Sequence, residues 1–268
     1  YRYSQRWVDL YDANENMKQI ETAQYIKGLH NLISAHFDLR NYHKFNDTIC
    51  RFEAFTQTPT VLENQNNKIQ TFVYLNLSKI NRHFMEGTFE AGIAEIPLIE
   101  EKLTEYELYL DRHRVLVFYY KFASLYFGAG NYSMSIDYLN KVIDLKGDLR
   151  TDLRCYARLL HLIAHYELGN FEILEHLLKS VTRFMAKMEN LGLAETEIFS
   201  FLKRAFRLQP DALKPAFIKL LENLKEVEKD KLASRAFMYL DVISWLESKI
   251  ENRPIMTIIK EKGSATIR

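Results

Sequence analysis

Apolar side chains recur along this chain with the period of an α-helix. Val115, Tyr119, Phe122 and Tyr126 lie four, three and four residues apart, a spacing typical of a helix that buries one face. The same spacing links two later sets of residues. They are Leu174, Leu177, Leu178, Val181, Met185 and Met188, and then Leu232, Ala236, Tyr239, Leu240, Ile243, Leu246 and Ile250. The pattern therefore predicts an all-α protein.

A short motif is repeated four times between the helical segments. It consists of His or Tyr, an aromatic residue, three further residues, Asn or Thr, and a second aromatic residue. The four copies are His36-Phe37 with Asn41-Tyr42, His83-Phe84 with Thr88-Phe89, Tyr126-Phe127 with Asn131-Tyr132, and His165-Tyr166 with Asn170-Phe171. They are separated by 47, 43 and 39 residues. Four ordered copies indicate an internal repeat.

The motif has the residues expected at the turn of a helical hairpin. Gly87, Gly130 and Gly169 directly precede the Asn or Thr in three copies. Glycine accepts the left-handed conformation that often ends a helix. Asn and Thr can cap the next helix through their side-chain oxygen. Each copy is therefore predicted to join two antiparallel helices.

The third copy resembles the tetratricopeptide family. The segment from Phe127 to Leu139 reads Phe-Gly-Ala-Gly-Asn-Tyr-Ser-Met-Ser-Ile-Asp-Tyr-Leu and is similar to the Gly-Asn-Tyr junction of that family. The positions of its core residues are matched by Tyr119, Phe122, Ala123, Tyr126, Ser135 and Leu139. The fourth copy matches at Leu168-Gly-Asn-Phe, so the best match covers residues 112–185. The resemblance implies a right-handed superhelical stack of antiparallel hairpins.

The repeats divide the chain into predicted segments. Residues 1–16 are expected to end a preceding helix or hairpin, and residues 193–252 to form C-terminal helices that cap the stack. Residues 253–268 are expected to be a tail, with Pro254 as a helix stop. The four hairpins are predicted at about 17–60, 65–105, 111–146 and 149–189.

The resemblance also implies a function, because the first helices of tetratricopeptide hairpins line a concave groove that receives a peptide. Counting back from each turn places twelve residues on that groove: Lys27, Asn31, Ser34, Tyr74, Leu77, Asn81, Tyr120, Lys121, Ser124, Tyr156, Leu159 and Ile163. Only Lys27 and Lys121 are cationic, which argues against a groove specific for a C-terminal carboxylate. Packing against neighbouring helices is the alternative role for these residues.

Composition narrows the remaining choices. Nine Gly and five Pro in 268 residues are too few for the many tight turns of a sandwich, barrel or doubly wound sheet. The net charge of +1 makes nucleic acid an unfavoured partner. No apolar run is long enough to span a membrane. Because the chain begins at Tyr1 rather than Met, we expect a fragment of a longer protein. Cys50 and Cys155 form no disulfide framework or paired metal-ligand motif, which is compatible with a reducing compartment, and we expect a cytoplasmic location.

Candidate chemical sites are few. His161 and His165 lie four residues apart, but no third ligand is nearby and no zinc-protease glutamate lies between them. Both are expected to be structural, and no metal, cofactor or catalytic residue is assigned. Lys203, Arg204, Arg207, Lys214, Lys219 and Lys225 form a basic stretch that we interpret as the polar side of amphipathic helices rather than a phosphate site.

A non-catalytic scaffold for a protein or peptide partner is therefore the leading functional hypothesis. The alternative is a sensor or dimerisation region of a longer regulator. An enzyme with a dispersed site is the least favoured possibility.

Overall fold

Every regular element in the described part of the chain is helical. The computed structural model describes residues 1–145, 150–188, 192–205, 207–229 and 241–267, and these ranges contain no strand. The all-α prediction is confirmed. The chain divides into two compact units, Tyr1–Val115 with Lys260–Arg268 (unit 1) and Leu116–Ile259 (unit 2).

Seven of the helices that the structure describes lie wholly within unit 1. They are α1 (Arg2–Asp12), α2 (Glu15–Ile20), α3 (Thr22–Asp38), α4 (Tyr42–Thr56), α5 (Pro59–Leu62), α6 (Gln65–Glu86) and α7 (Phe89–Glu105). Helix α3 is central, because α1, α4 and α6 all pack against it. Its buried stripe includes Ile26, Leu29 and Ile33, which share a core with Phe45 and Phe52 of α4. The helical period of the sequence thus becomes the inner face of this unit.

Unit 2 contains the helices that follow. They are most of α8 (Arg112–Gly128), then α9 (Tyr132–Ile143), α10 (Thr151–Glu167), α11 (Phe171–Met185), α12 (Leu193–Ala205), α13 (Pro210–Glu228) and α14 (Val242–Glu251). Helix α10 is buried along most of its length and packs against α9, α11 and α12. Helix α14 is anchored by the buried Trp245, whose Nε1 donates to Glu167 Oε1 of α10 at 2.7 Å.

Aromatic pairs show that the helices joined by the repeated motif are antiparallel. In the first pair, Tyr25 contacts Phe55 while Phe37 contacts Phe45, so residue numbers rise on one helix as they fall on the other. Equivalent contacts join α6 with α7 through Phe84–Phe89 and Phe72–Tyr106, α8 with α9 through Phe127–Tyr132 and Tyr119–Tyr138, and α10 with α11 through Tyr166–Phe171 and Arg158–Phe184. These helices lie inside the four predicted hairpin ranges.

All four turns close with the same backbone hydrogen bond. The N–H of the Asn or Thr donates to the carbonyl five residues earlier, which is the pattern of a Schellman motif. The pairs are Asn41–His36 (2.9 Å), Thr88–His83 (3.1 Å), Asn131–Tyr126 (2.9 Å) and Asn170–His165 (3.0 Å). The residue before each donor has a positive φ: 65° at Gly87, 79° at Gly130, 71° at Gly169 and 53° at Arg40. The predicted role of the three glycines is therefore confirmed.

Two expectations about the C-terminal part change. The tail expected from residue 253 is wrong, because Ile255–Ile267 is a helix, α15, whose apolar Ile255, Ile258 and Ile259 are buried. Pro254 precedes that helix instead of ending the ordered chain, since proline is tolerated at a helix start. Of the helix expected at 230–251, residues 230–240 lie outside the described ranges, and the remainder forms α14.

Candidate binding surface

In unit 1, two consecutive first helices lie side by side and run in the same direction. Gln70 Nε2 of α6 donates to the Ala23 carbonyl of α3 at 3.4 Å, and further along both helices the His30 ring stacks on the Tyr74 ring. Residue numbers therefore increase together on α3 and α6. This arrangement brings the groove residues predicted on the two helices onto neighbouring surfaces.

A three-layer stack joins these helices to the start of α8. The rings of His30 and Tyr74 are 4.1 Å apart and nearly parallel, with an interplanar angle of 9°. The Arg114 guanidinium lies over the Tyr74 ring, 5.1 Å from its centroid, and Arg114 Nη2 is 3.5 Å from the Tyr74 hydroxyl. Stacking and cation–π attraction hold the three side chains in one arrangement.

We define the first-helix face as Lys27, Asn31, Tyr74, Asn81 and Arg114. Lys27 is exposed, and the other four side chains are half-buried. Half-buried polar and aromatic groups of this kind retain contact area for a partner while their backbones are fixed by helices. The face has two cationic groups, at Lys27 and Arg114, and no carboxylate among its defining residues.

The residues predicted for the groove in unit 2 are mostly covered. Tyr120 is 2% exposed and Tyr156 is 8% exposed. Burial, together with the nearby Glu195 carboxylate, raises the pKa of Tyr156 well above its ordinary value, so its hydroxyl stays protonated. Leu159 and Ile163, reached by the same register, are also buried. These four side chains pack inside unit 2 and are corrected from groove to core.

The remaining predicted residues in unit 2 keep partial exposure. Ser124 is half-buried, and its Oγ donates to the Tyr120 carbonyl at 2.9 Å within the same helix. Lys121 is half-buried, and desolvation lowers the pKa of its ammonium group to about 8. A lysine with this pKa is partly neutral near physiological pH.

A polar cleft lies at the N-terminal ends of α3 and α6. Its volume is about 710 Å³, within the roughly 300–1,000 Å³ typical of ligand pockets. Side-chain amides, hydroxyls and one indole dominate its lining, which comprises Trp7, Tyr11, Gln19, Ile20, Glu21, Thr22, Ala23, Gln24, Thr60, Asn64 and Asn67. The cleft is therefore nearly uncharged.

Its one carboxylate is already engaged. The Tyr11 hydroxyl donates to Glu21 Oε2 at 2.6 Å. Burial and this carboxylate raise the pKa of Tyr11 to about 12, so Tyr11 remains a donor at physiological pH. Asn67 is also satisfied, because its Nδ2 donates to the Thr60 carbonyl at 3.0 Å and its backbone N–H donates to Asn64 Oδ1 at 3.1 Å.

Two histidines of the repeated motif, His83 and His165, have hydrogen-bond partners within their own turns. His83 Nδ1 lies 2.7 Å from Thr88 Oγ1, and His165 Nδ1 lies 3.1 Å from Asn170 Nδ2. The His161 and His165 rings contact each other edge to face at 4.5 Å. Within the described ranges, no three His, Cys, Asp or Glu side chains are grouped to hold a metal ion.

The basic stretch of the sequence is distributed over α12, α13 and the connection between them. Lys203 lies over the Phe199 ring, 5.5 Å from its centroid. Lys225 pairs with Glu247 at 2.9 Å, and Arg207 lies 3.8 Å from Glu175. Carboxylates and an aromatic ring thus accompany several of these cations, as on an ordinary solvated helix surface.

The helical stripes that carry the predicted groove residues continue one or two turns further towards the N-terminal ends of their helices. Arg114 lies seven residues before Lys121 on the predicted stripe of α8, and Ala23 lies four before Lys27 on α3. Extending the stripe of α6 back from Tyr74 gives Gln70 and then Asn67. The helical period alone could therefore have found these additional residues.

In the part of the chain that the structure describes, no helix combines the length and apolar character required to cross a bilayer. Comparisons with protein-family models, with curated proteins and with solved structures find no match to this chain. The resemblance to tetratricopeptide repeats accordingly stays a prediction, supported by the turns and hairpins of the chain itself.

Proposed function

We propose that this chain is a non-catalytic interaction protein whose first-helix face binds an extended segment of a protein or peptide partner. The observation that carries the proposal is the His30–Tyr74–Arg114 stack, which joins three successive first helices. Tyrosine and arginine are the side chains that most often dominate binding energy at protein interfaces.

The stack also reduces the cost of binding. A free arginine or tyrosine side chain loses rotamer freedom when a partner immobilises it, at about 0.5–1.5 kcal/mol each. Here Arg114 is already placed over the Tyr74 ring and Tyr74 against His30. Asn31 adds an amide group, which can donate to and accept from a partner's main chain.

Site-specific photo-crosslinking in a cell extract that contains the partner tests whether the first-helix face binds it. A benzophenone amino acid is placed at Lys27, on the face, and at Asp47 of α4 as the control; both positions are exposed. We expect a discrete adduct from position 27 and none of that mass from position 47. The adduct should disappear when Arg114→Ala is added.

Two results of the crosslinking experiment would contradict the proposed function. If positions 27 and 47 give the same adducts, or if Arg114→Ala leaves the adduct unchanged in a folded protein, the first-helix face is not the binding surface. Helical circular dichroism of each variant serves as the folding control.

A further inference from the structure

We propose that the polar cleft of unit 1 is the end pocket of the first-helix face, and that it takes an uncharged polar stretch of the partner's chain. The inference rests on the proposed function and specifies the chemistry of the bound segment. Ala23 and Asn67 line the cleft and continue the stripes that carry Lys27 on α3 and Tyr74 on α6.

Two side-chain amides of the cleft are free to form hydrogen bonds with a bound chain. Gln19 and Gln24 are exposed, and their side-chain amides have no hydrogen-bond partner among the described residues. A primary amide offers both a donor and an acceptor, which matches the N–H and C=O of a peptide group. Asn, Gln, Ser and Thr side chains of a partner present the same chemistry.

The charges of the lining favour a neutral occupant. No Lys or Arg lines the cleft, so an acidic segment would find no counter-ion there. Glu21 is the only carboxylate in the lining, and it already accepts a hydrogen bond from Tyr11. Lys18, which follows Met17 and precedes Gln19 in the sequence, pairs with Asp12 at 3.3 Å, and Arg51 pairs with the same carboxylate.

The packing of the indole favours a peptide over a sugar. A Cβ atom built on Gly28 would lie 3.2 Å from Trp7 Cδ1, which shows how closely the ring packs on α3. Trp7 also packs on the unit 1 core. Its ring is therefore committed to packing and does not offer the open aromatic platform that stacks on a pyranose.

The two tryptophans of the chain make the test direct, since Trp7 lines the cleft and Trp245 is buried in unit 2. In a ¹⁵N-labelled full chain, their indole N–H resonances report the two places separately. The probes are three pools of short peptides and maltohexaose. One pool contains Ser, Thr, Asn, Gln and Gly; in the second, Asp and Glu replace the amides, and in the third, Lys and Arg replace them.

We expect the neutral pool to shift the Trp7 resonance and leave the Trp245 resonance in place. Ala23→Phe, which fills the cleft from an exposed position, should abolish the shift, and so should the pair Gln19→Ala with Gln24→Ala. Ala54→Phe is the matched control, because Ala54 is exposed on α4 and does not line the cleft.

Three results would overturn the inference. They are no shift with the neutral pool, an equal or larger shift with a charged pool or with maltohexaose, or a shift that survives Ala23→Phe. The proposed function is judged apart from this result. A partner captured at Lys27 whose binding is unchanged by Ala23→Phe would retain the first-helix face and eliminate the cleft.

Discussion

His161 should make the stability of unit 2 depend on pH in a range where most carboxylates do not yet titrate. Its side chain is 7% exposed, and its Nε2 has no hydrogen-bond partner. Burial, followed by the neighbouring His165 and Arg158, lowers the pKa of His161 from 6.5 to about 4. The folded state therefore disfavours the protonated ring.

Proton linkage gives the direction and size of the effect of pH on the stability of unit 2. As the pH falls below 6.5, the unfolded chain binds a proton at His161 that the folded chain does not bind until about pH 4. Stability is thus full above pH 6.5 and declines below it, by about 2 kcal/mol at pH 5 and about 3 kcal/mol at pH 4. His161→Leu should remove this contribution, since leucine is apolar and does not titrate.

Urea unfolding at a series of pH values measures the effect. A Trp7→Phe background leaves Trp245 as the sole tryptophan, so its fluorescence reports unit 2 alone. We expect the free energy of unfolding to fall more steeply between pH 7 and pH 5 in the His161 protein than in His161→Leu. Parallel curves for the two proteins would refute the reasoning, because every other titrating group is shared.

Three further substitutions test a close packing contact, a turn and an ion pair. Gly263→Ala should destabilise unit 1 by about 1–3 kcal/mol, because the added Cβ would lie 2.7 Å from the Met85 carbonyl oxygen. Urea unfolding followed by Trp7 fluorescence measures this change. An unchanged unfolding midpoint would contradict the close approach. Gly130→Ala should cost about 1 kcal/mol through its φ of 79° alone, since nothing lies within 4 Å of the added Cβ. Glu167→Gln should lower the unfolding midpoint of unit 2 by removing the ion pair with Lys249 at 2.9 Å, and a neutral result would show that the pair adds nothing to stability.

The turns were predictable because their requirements are local. A left-handed residue and a following cap residue are read from neighbouring sequence positions, as at Gly130 and Asn131. Arg40 shows the limit of this signal, since it adopts a φ of 53° without being glycine. Its place in the repeat, rather than its residue type, identifies the turn.

The capping side chains were predicted only in part. Asn41 and Asn131 accept from the backbone N–H three residues later, at 3.3 and 3.2 Å. Thr88 and Asn170 instead hydrogen-bond the histidine five residues before them. Both partners are within reach of the same short side chain, so the sequence does not decide between them.

The exposure of the predicted groove residues was less predictable, because burial depends on tertiary contacts. The helical register predicts which residues share a face with Tyr74. It does not reveal that neighbouring helices cover Tyr120 and Tyr156. Nor does it show that residues distant in sequence, such as His30 and Arg114, meet around one ring.

The affinity of the captured partner for an Arg114→Ala variant tests the central claim most directly. Arg112→Ala is the matched control, because Arg112 is exposed two residues earlier on α8 and lies outside the first-helix face. The account predicts that Arg114→Ala raises the dissociation constant roughly fivefold or more, as expected for an interface arginine that contributes over about 1 kcal/mol. It predicts no change for Arg112→Ala. Equal affinities of the two folded variants would contradict the claim that the first-helix face binds the partner.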